Sequence, residues 1–134
     1  MANELMNLWK QELMQGSANT SLTGTVKFAL ARSAVNTFAQ TQQFLSDVTS
    51  PHATKSDALA SKTFTNGTFD SADGKFTAPA SDTFTYNQLY VFVDTGVAAT
   101  SRIVGFFDTG VTGLPATPNG ADINIQTPSN IFTL

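Results

Sequence analysis

Two copies of Asp-Thr-Gly, at Asp94, Thr95, Gly96 and at Asp108, Thr109, Gly110, are the residues whose type and order most directly suggest chemistry. In an aspartic protease this triplet presents a catalytic carboxylate, and the reaction needs two such groups sharing one proton, each delivered by its own β lobe or protomer. The copies here are fourteen residues apart, too close in sequence to come from two lobes. A dimer using one copy per protomer would leave the other unexplained, and neither a flap nor a substrate cleft is identifiable. The same triplet after an apolar strand is good turn chemistry, because Asp bonds the local backbone and Gly accepts positive φ. Turns are the expected role of both copies.

His52, the only histidine, follows Ser50 and Pro51 and has no Ser or Cys at a recognisable spacing. It is expected to be a solvent-exposed loop residue. The chain has no cysteine, so thiolate ligands, Cys nucleophiles and disulfides are all ruled out, and one His leaves only an atypical carboxylate-rich zinc site. Asp70 and Asp73 beside Gly74 lack the alternating ligands of a calcium loop and are expected to form Asx turns. Asn19 and Asn66 begin Asn-x-Ser/Thr sequons, background matches in a chain with no secretory signal. No catalytic residue, cofactor or metal is expected, and the chain reads as a non-enzyme.

The elements that would carry these residues are mostly β. An exception comes first: Ala2, Leu5, Met6, Trp9 and Leu13 fall within about a 100° arc of a helix. A helix over about residues 3–15 is expected, capped by Asn3 and ended by Gly16 in a left-handed turn. At about three turns it is too short to stand alone. It must dock on its own sheet or on a neighbour, and Leu5, Met6, Trp9 and Leu13 are the candidate interface residues, Trp being a frequent interface anchor.

From Thr25 the period becomes two, with Val26, Phe28 and Leu30 opposite Thr25, Lys27 and Ala29, which predicts a strand with one buried face. Residues 33–59 read as irregular, with one helical turn near Phe44 and Leu45. Asn66-Gly67 and Asp73-Gly74 predict tight hairpin turns in a meander whose apolar positions are Phe64, Phe69 and Phe76. Thr83 to Asp94 is apolar on both faces and predicts a central strand, paired antiparallel with a second at 102–108. A Gly- and Pro-rich connection leads to Ile123 and Ile125 and a terminal strand around Ile131 and Phe132. The pattern predicts one mainly β domain over residues 1–134, an antiparallel sandwich or barrel of jelly-roll type with a short N-terminal helix.

Bulk properties narrow the partners. The chain is 41% apolar and only 13% charged, with a net charge of −3, whereas average soluble proteins are roughly 25% charged. Charge-poor surfaces resemble the centres of interfaces, and few Lys and Glu side chains leave little rotamer entropy to lose when covered. An ordinary Thr-rich β domain accounts for the same composition. The seven basic residues are scattered, which argues against nucleic acid. No apolar run approaches the ~20 residues of a membrane helix, and a soluble chain starting near Met1 is expected.

The helix with Leu5, Trp9 and Leu13, the stretch Thr25, Val26, Lys27, Phe28, Ala29, Leu30, and Gln43 to Val48 resemble a family of small tailed-phage virion proteins. Asn66-Gly67 followed by Phe69-Asp70, the strand ending at Asp94, and the run from Gly113 through Pro115, Pro118 and Gly120 to Ile123 are similar to further features of that family. The similarity spans almost the whole chain and rests on structural motifs. Asn36 stands where relatives often carry an aromatic residue, and segment 33–40 diverges. The resemblance implies a capsid cement or decoration protein on the outer surface of a virion. It also implies the major capsid protein as partner and a homo-oligomer, a trimer before other orders. A tail, neck or fibre-associated protein is a second reading. A carbohydrate- or host-binding module is a third, requiring Tyr86 and Tyr90 to lie on an edge strand.

Overall fold

The computed structural model describes residues 3–127 and 130–134; Ala2, the first residue of the expected helical stripe, lies outside them. The chain is mainly antiparallel β with one short helix. In order, the elements are β1 (Glu4–Leu5), α1 (Asn7–Met14), β2 (Val26–Ala31), β3 (Thr68–Phe69), β4 (Gly74–Phe76), β5 (Gln88–Val93), β6 (Ile103–Phe107), β7 (Ile123–Ile125) and β8 (Phe132–Thr133).

The core is a four-stranded sheet in the order β1-β6-β5-β2. β5 lies between β6 and β2, as its two apolar faces require, and all six of its residues are buried. It pairs with β6 from Leu89 opposite Phe107 to Phe92 opposite Ile103, with a register irregularity at Val91/Phe92. β2 runs antiparallel on its other side, Val26 opposite Val93 and Ala31 opposite Gln88. Alternation predicted one buried face for β2, but both are covered, and only Lys27 is partly open. The outer face and edge are covered by the segment expected to be loose. His52 N–H donates to Leu30 O, Ser56 N–H to Phe28 O and Leu59 N–H to Val26 O, at 2.8–2.9 Å, so residues 52–59 act as an irregular edge cover. At the opposite edge Gln40 does the same for β1, its Nε2 donating to Leu5 O at 3.1 Å.

The remaining strands form two separate ribbons, β3 with β8 and β4 with β7, and the described residues make no closed barrel. The expected meander is therefore absent: β3 and β4 pair with strands far along the chain, not with each other. Asn66-Gly67 does form a tight turn, with both residues at positive φ. Asp73-Gly74 does not. Gly74 begins β4, and a Cβ there would meet Phe28 Cε2 at 2.3 Å and Cδ2 at 2.4 Å, so this glycine is needed for close packing and not for a turn.

The N-terminus also differs from expectation. Asn3 does not cap the helix; its Oδ1 accepts the N–H groups of Asp108 and Thr109 at 2.9 and 3.0 Å, tying the chain start to the end of β6. Residues 4–5 join the sheet edge as β1, and α1 starts at Asn7 after Met6, without a side-chain cap. Gly16 takes the expected left-handed conformation just past the helix end, φ +70°.

Beneath segment 33–49 lies a buried polar cluster. Asn36, 1% exposed, donates from Nδ2 to Gln88 Oε1 at 2.9 Å and to Tyr90 Oη at 2.8 Å. Its Oδ1 accepts from Thr49 N–H at 2.9 Å and Gln42 Nε2 at 3.2 Å, and Tyr90 Oη donates to Gln42 Oε1 at 2.8 Å. Each buried polar group in the cluster has a partner, as low-dielectric surroundings demand. Burial raises the Tyr90 pKa above its ordinary value, against the pull of its bonds to Asn36 and Gln42.

Candidate docking groove

The helix docks on its own domain. Trp9, 2% exposed, donates from Nε1 to Thr20 O at 2.9 Å, and Met6 is fully buried in the core. The outer side is held by Ser17 Oγ donating to Glu12 Oε2 at 2.6 Å and by Arg102, whose Nε donates to Ala18 O at 2.9 Å. Of the four predicted interface residues, Met6 and Trp9 are thus core residues. Leu5 and Leu13 are half-buried and pack at the core's margin.

Between α1 and the β3–β8 ribbon lies an open groove of about 180 Å³, lined almost wholly by carbon. Trp9, Leu13 and Leu22 form one wall; Phe64, Phe69, Phe132 and Leu134 form the other. An aromatic row runs outward through it. Trp9 meets Phe132 edge-on at 5.6 Å between centroids, Phe132 meets Phe69 at 5.4 Å, and Phe69 stacks on Phe64 at 5.5 Å. The row begins buried and ends exposed at Phe64, 47% accessible, and Leu134, 62% accessible, lies at the groove's rim. Thr68 and Thr133 hydroxyls meet at 3.0 Å and Leu134 N–H donates to Gly67 O at 2.8 Å, so the outer wall is tied together across the ribbon. Lys62 Nζ, donating to Leu22 O at 2.8 Å and to Gly24 O, fixes the other wall. Filling the groove with a Leu-sized side chain would gain about 1.5–3 kcal/mol. Sequence reasoning found Trp9 and Leu13 but missed Leu22, Phe64, Phe69, Phe132 and Leu134. Phe64, Phe69 and Phe132 read in the sequence only as apolar strand positions, and nothing local marks Leu22 or Leu134.

The other candidates fall into structural roles. Asp94 follows β5 and Asp108 follows β6 at opposite ends of an antiparallel ladder, roughly 20 Å apart at ~3.4 Å per residue, so one chain cannot make a shared-proton pair from them. Asp94 Oδ1 accepts Gly96 N–H at 2.9 Å and its other oxygen pairs with Lys27 at 2.9 Å. Thr109 Oγ1 donates to Asp108 Oδ1 at 3.0 Å. Both triplets end in a positive-φ glycine, the geometry of turns.

His52 is not exposed. It is 4% accessible, because the loop that carries it covers the edge of β2. Its Nδ1 accepts Thr54 N–H at 3.1 Å, which assigns the proton to Nε2, and Nε2 donates to Ala80 O at 2.9 Å and lies 3.5 Å from Asp82. Asp82 in turn accepts Tyr86 Oη at 2.7 Å. Burial, then the hydrogen bond and charge of Asp82, push the Tyr86 pKa up to about 12. Tyr90 lies on the central strand β5 and Tyr86 just before it, bridged to Ala116, and both are buried, so neither lies exposed on an edge strand. Asn19 and Asn66 of the two sequons both sit at positive φ, again as turn residues. Among the described residues no three His, Asp or Glu side chains gather where a metal could bind, and no helix is long and apolar enough to cross a membrane.

No protein-family model matches the chain, and no curated protein or solved structure matches it either.

Proposed function

We propose that this chain is a structural virion protein that binds the outer surface of a tailed-phage capsid as cement or decoration, with the major capsid protein as its partner. Binding rather than catalysis is its function. The observation that carries this reading is the open apolar groove, with Phe64 and Leu134 exposed at its rim, on a domain of low charge. Rigid apolar concavities of this kind suit an inserted side chain from another protein. The resemblance of residues 25–30, 43–48 and 113–123 to small tailed-phage virion proteins, read from the sequence, is what points to a capsid subunit as that protein.

A cement protein stabilises a shell by binding the assembled state and not the free subunits. Closed symmetry lets modest interfaces act together, so a trimer gains avidity by touching several capsid subunits at once. Charge-poor contact surfaces lower the desolvation cost of such binding.

Co-sedimentation of the purified chain with undecorated shells of the encoding phage tests this. The wild-type chain is expected to pellet with the shells, and Phe64→Asp with Leu134→Asp to abolish pelleting while the melting temperature changes little. A wild-type chain that stays in the supernatant at saturating shell concentration would overturn the proposal.

A further inference from the structure

Asn-Gly occurs twice, at Asn66-Gly67 and at Asn119-Gly120. In such a pair the glycine backbone nitrogen can attack the asparagine side-chain carbonyl carbon, because the following residue has no Cβ to obstruct it. The new C–N bond closes a succinimide. The attacking nitrogen gives up its proton and the side-chain amide leaves as ammonia. Water then opens the ring at one carbonyl or the other, leaving isoaspartate or aspartate. The local backbone decides whether attack is possible.

The two sites differ in that respect. Asn66 has φ +52° and ψ +41°, and this ψ turns the Gly67 nitrogen nearly opposite Cβ about the Cα–C bond, far from the carbon it must attack. The turn is also clamped. Thr68 N–H donates to Thr65 O, Leu134 N–H to Gly67 O at 2.8 Å, and Thr63 and Asp70 exchange backbone bonds on either side. Asn119 is not among the residues at positive φ, and it is exposed. Its Oδ1 accepts Ala121 N–H at 3.1 Å. That bond closes a ring of side chain and backbone that contains the Asn119–Gly120 peptide, and it polarises the carbonyl to be attacked. Among the described residues nothing accepts a hydrogen bond from Gly120 N–H. The nearest atom to a Cβ at Gly120 would be Ser81 Oγ at 3.6 Å, so the peptide has room to turn.

We propose that Asn119 is a site of spontaneous deamidation, with water as the co-reactant, and that the fold protects Asn66. The product places a new carboxylate beside Asp122, which holds Ala78 N–H at 2.8 Å, and beside Pro118, whose carbonyl accepts Asp82 N–H at 3.2 Å. The reaction therefore adds a charge, and in the isoaspartate product lengthens the backbone, within segment 118–122 that bonds to segment 78–82.

The test is peptide mass mapping of the full chain after incubation at mildly alkaline pH in heavy-oxygen water. Under native conditions Asn119 is expected to convert on the order of tenfold faster than Asn66, the rate equivalent of the backbone hydrogen bond that opening at Gly67 breaks. In denaturing urea the two rates should converge, and Asn119→Gln should remove the fast phase of ammonia release from the native protein. Equal native rates, a difference that survives in urea, or a fast phase that persists in Asn119→Gln would each overturn the proposal.

Discussion

Replacing Asn36 by Leu keeps the side chain's approximate volume and deletes its carboxamide. Four hydrogen bonds are lost, to Gln88, Tyr90, Gln42 and Thr49. Two of the partners keep an alternative: Gln42 Nε2 still reaches Asp47 O at 3.2 Å, and Tyr90 Oη still donates to Gln42 Oε1. Gln88 Oε1 stays buried with none of the bonds described above, at a cost of about 1–3 kcal/mol, whereas Thr49 is an exposed residue whose N–H can turn to water. That penalty, roughly 1–3 kcal/mol, is a sizeable part of the 5–15 kcal/mol that holds a typical domain together. A fall in melting temperature on the order of 10 °C follows for a chain of this size. Asn36→Asp sharpens the test, since it buries a carboxylate that is costly when ionised and less so when protonated. That variant should regain stability as pH falls into the carboxyl range, whereas Asn36→Leu should not. Thermal and urea denaturation followed by circular dichroism read both effects. A Leu variant within about 0.5 kcal/mol of wild type, the size of an ordinary surface change, would refute the assignment of the cluster as a structural keystone.

Gly74→Ala should destabilise by about 1–3 kcal/mol through its clash with the Phe28 ring, and most of that penalty should vanish in a Phe28→Leu background; an unchanged penalty there would place the strain elsewhere. Both tyrosines have raised pKa values, Tyr86 to about 12, so phenolate absorbance should show neither ionising near the ordinary value of 10.0 while the protein is folded. The neutral phenols contribute stability below the unfolded pKa, and it is lost as pH rises through the folded one; a tyrosine titrating normally in the native protein would contradict this. Burial pushes the Asp94 carboxyl up, but bonds from Lys27 and Gly96 N–H and the charges of Lys27 and Lys55 outweigh it, leaving the pKa below its ordinary 3.8. Its contribution is therefore present above the unfolded value and lost as pH falls through the folded one, so Asp94→Asn should lose less stability on acidification than wild type does; parallel curves would count against the pairing.

The centre of the fold was readable because Tyr90 to Val93 and Ile103 to Phe107 are apolar on both faces, a pattern that only a central, doubly covered pair satisfies. The ribbons were not. Two residues of β3 or β8 carry no period, and their pairing joins positions 65 apart, Thr68 to Thr133, which no local pattern encodes. Gly74 was misread because a glycine after Asp has the same local signature whether it makes a turn or admits a ring. The stripe Leu5, Met6, Trp9, Leu13 fits a helix, but Asn3 bonding to the end of β6 draws residues 4–5 into the sheet and delays the helix to Asn7. His52 and Asn36 looked like loop residues; what buries them is the packing of irregular segments over β2 and β5, a tertiary effect. The groove was half legible for the same reason, through its helical wall alone.

Under the proposed function the chain is part of a tailed-phage virion, and cryo-electron microscopy of that particle tests the central claim most directly. The account predicts symmetric density matching this domain on the outer capsid surface, with the groove beside Phe64 and Leu134 turned toward a capsid subunit. Density confined to the tail or neck, or a particle without this chain, would contradict it.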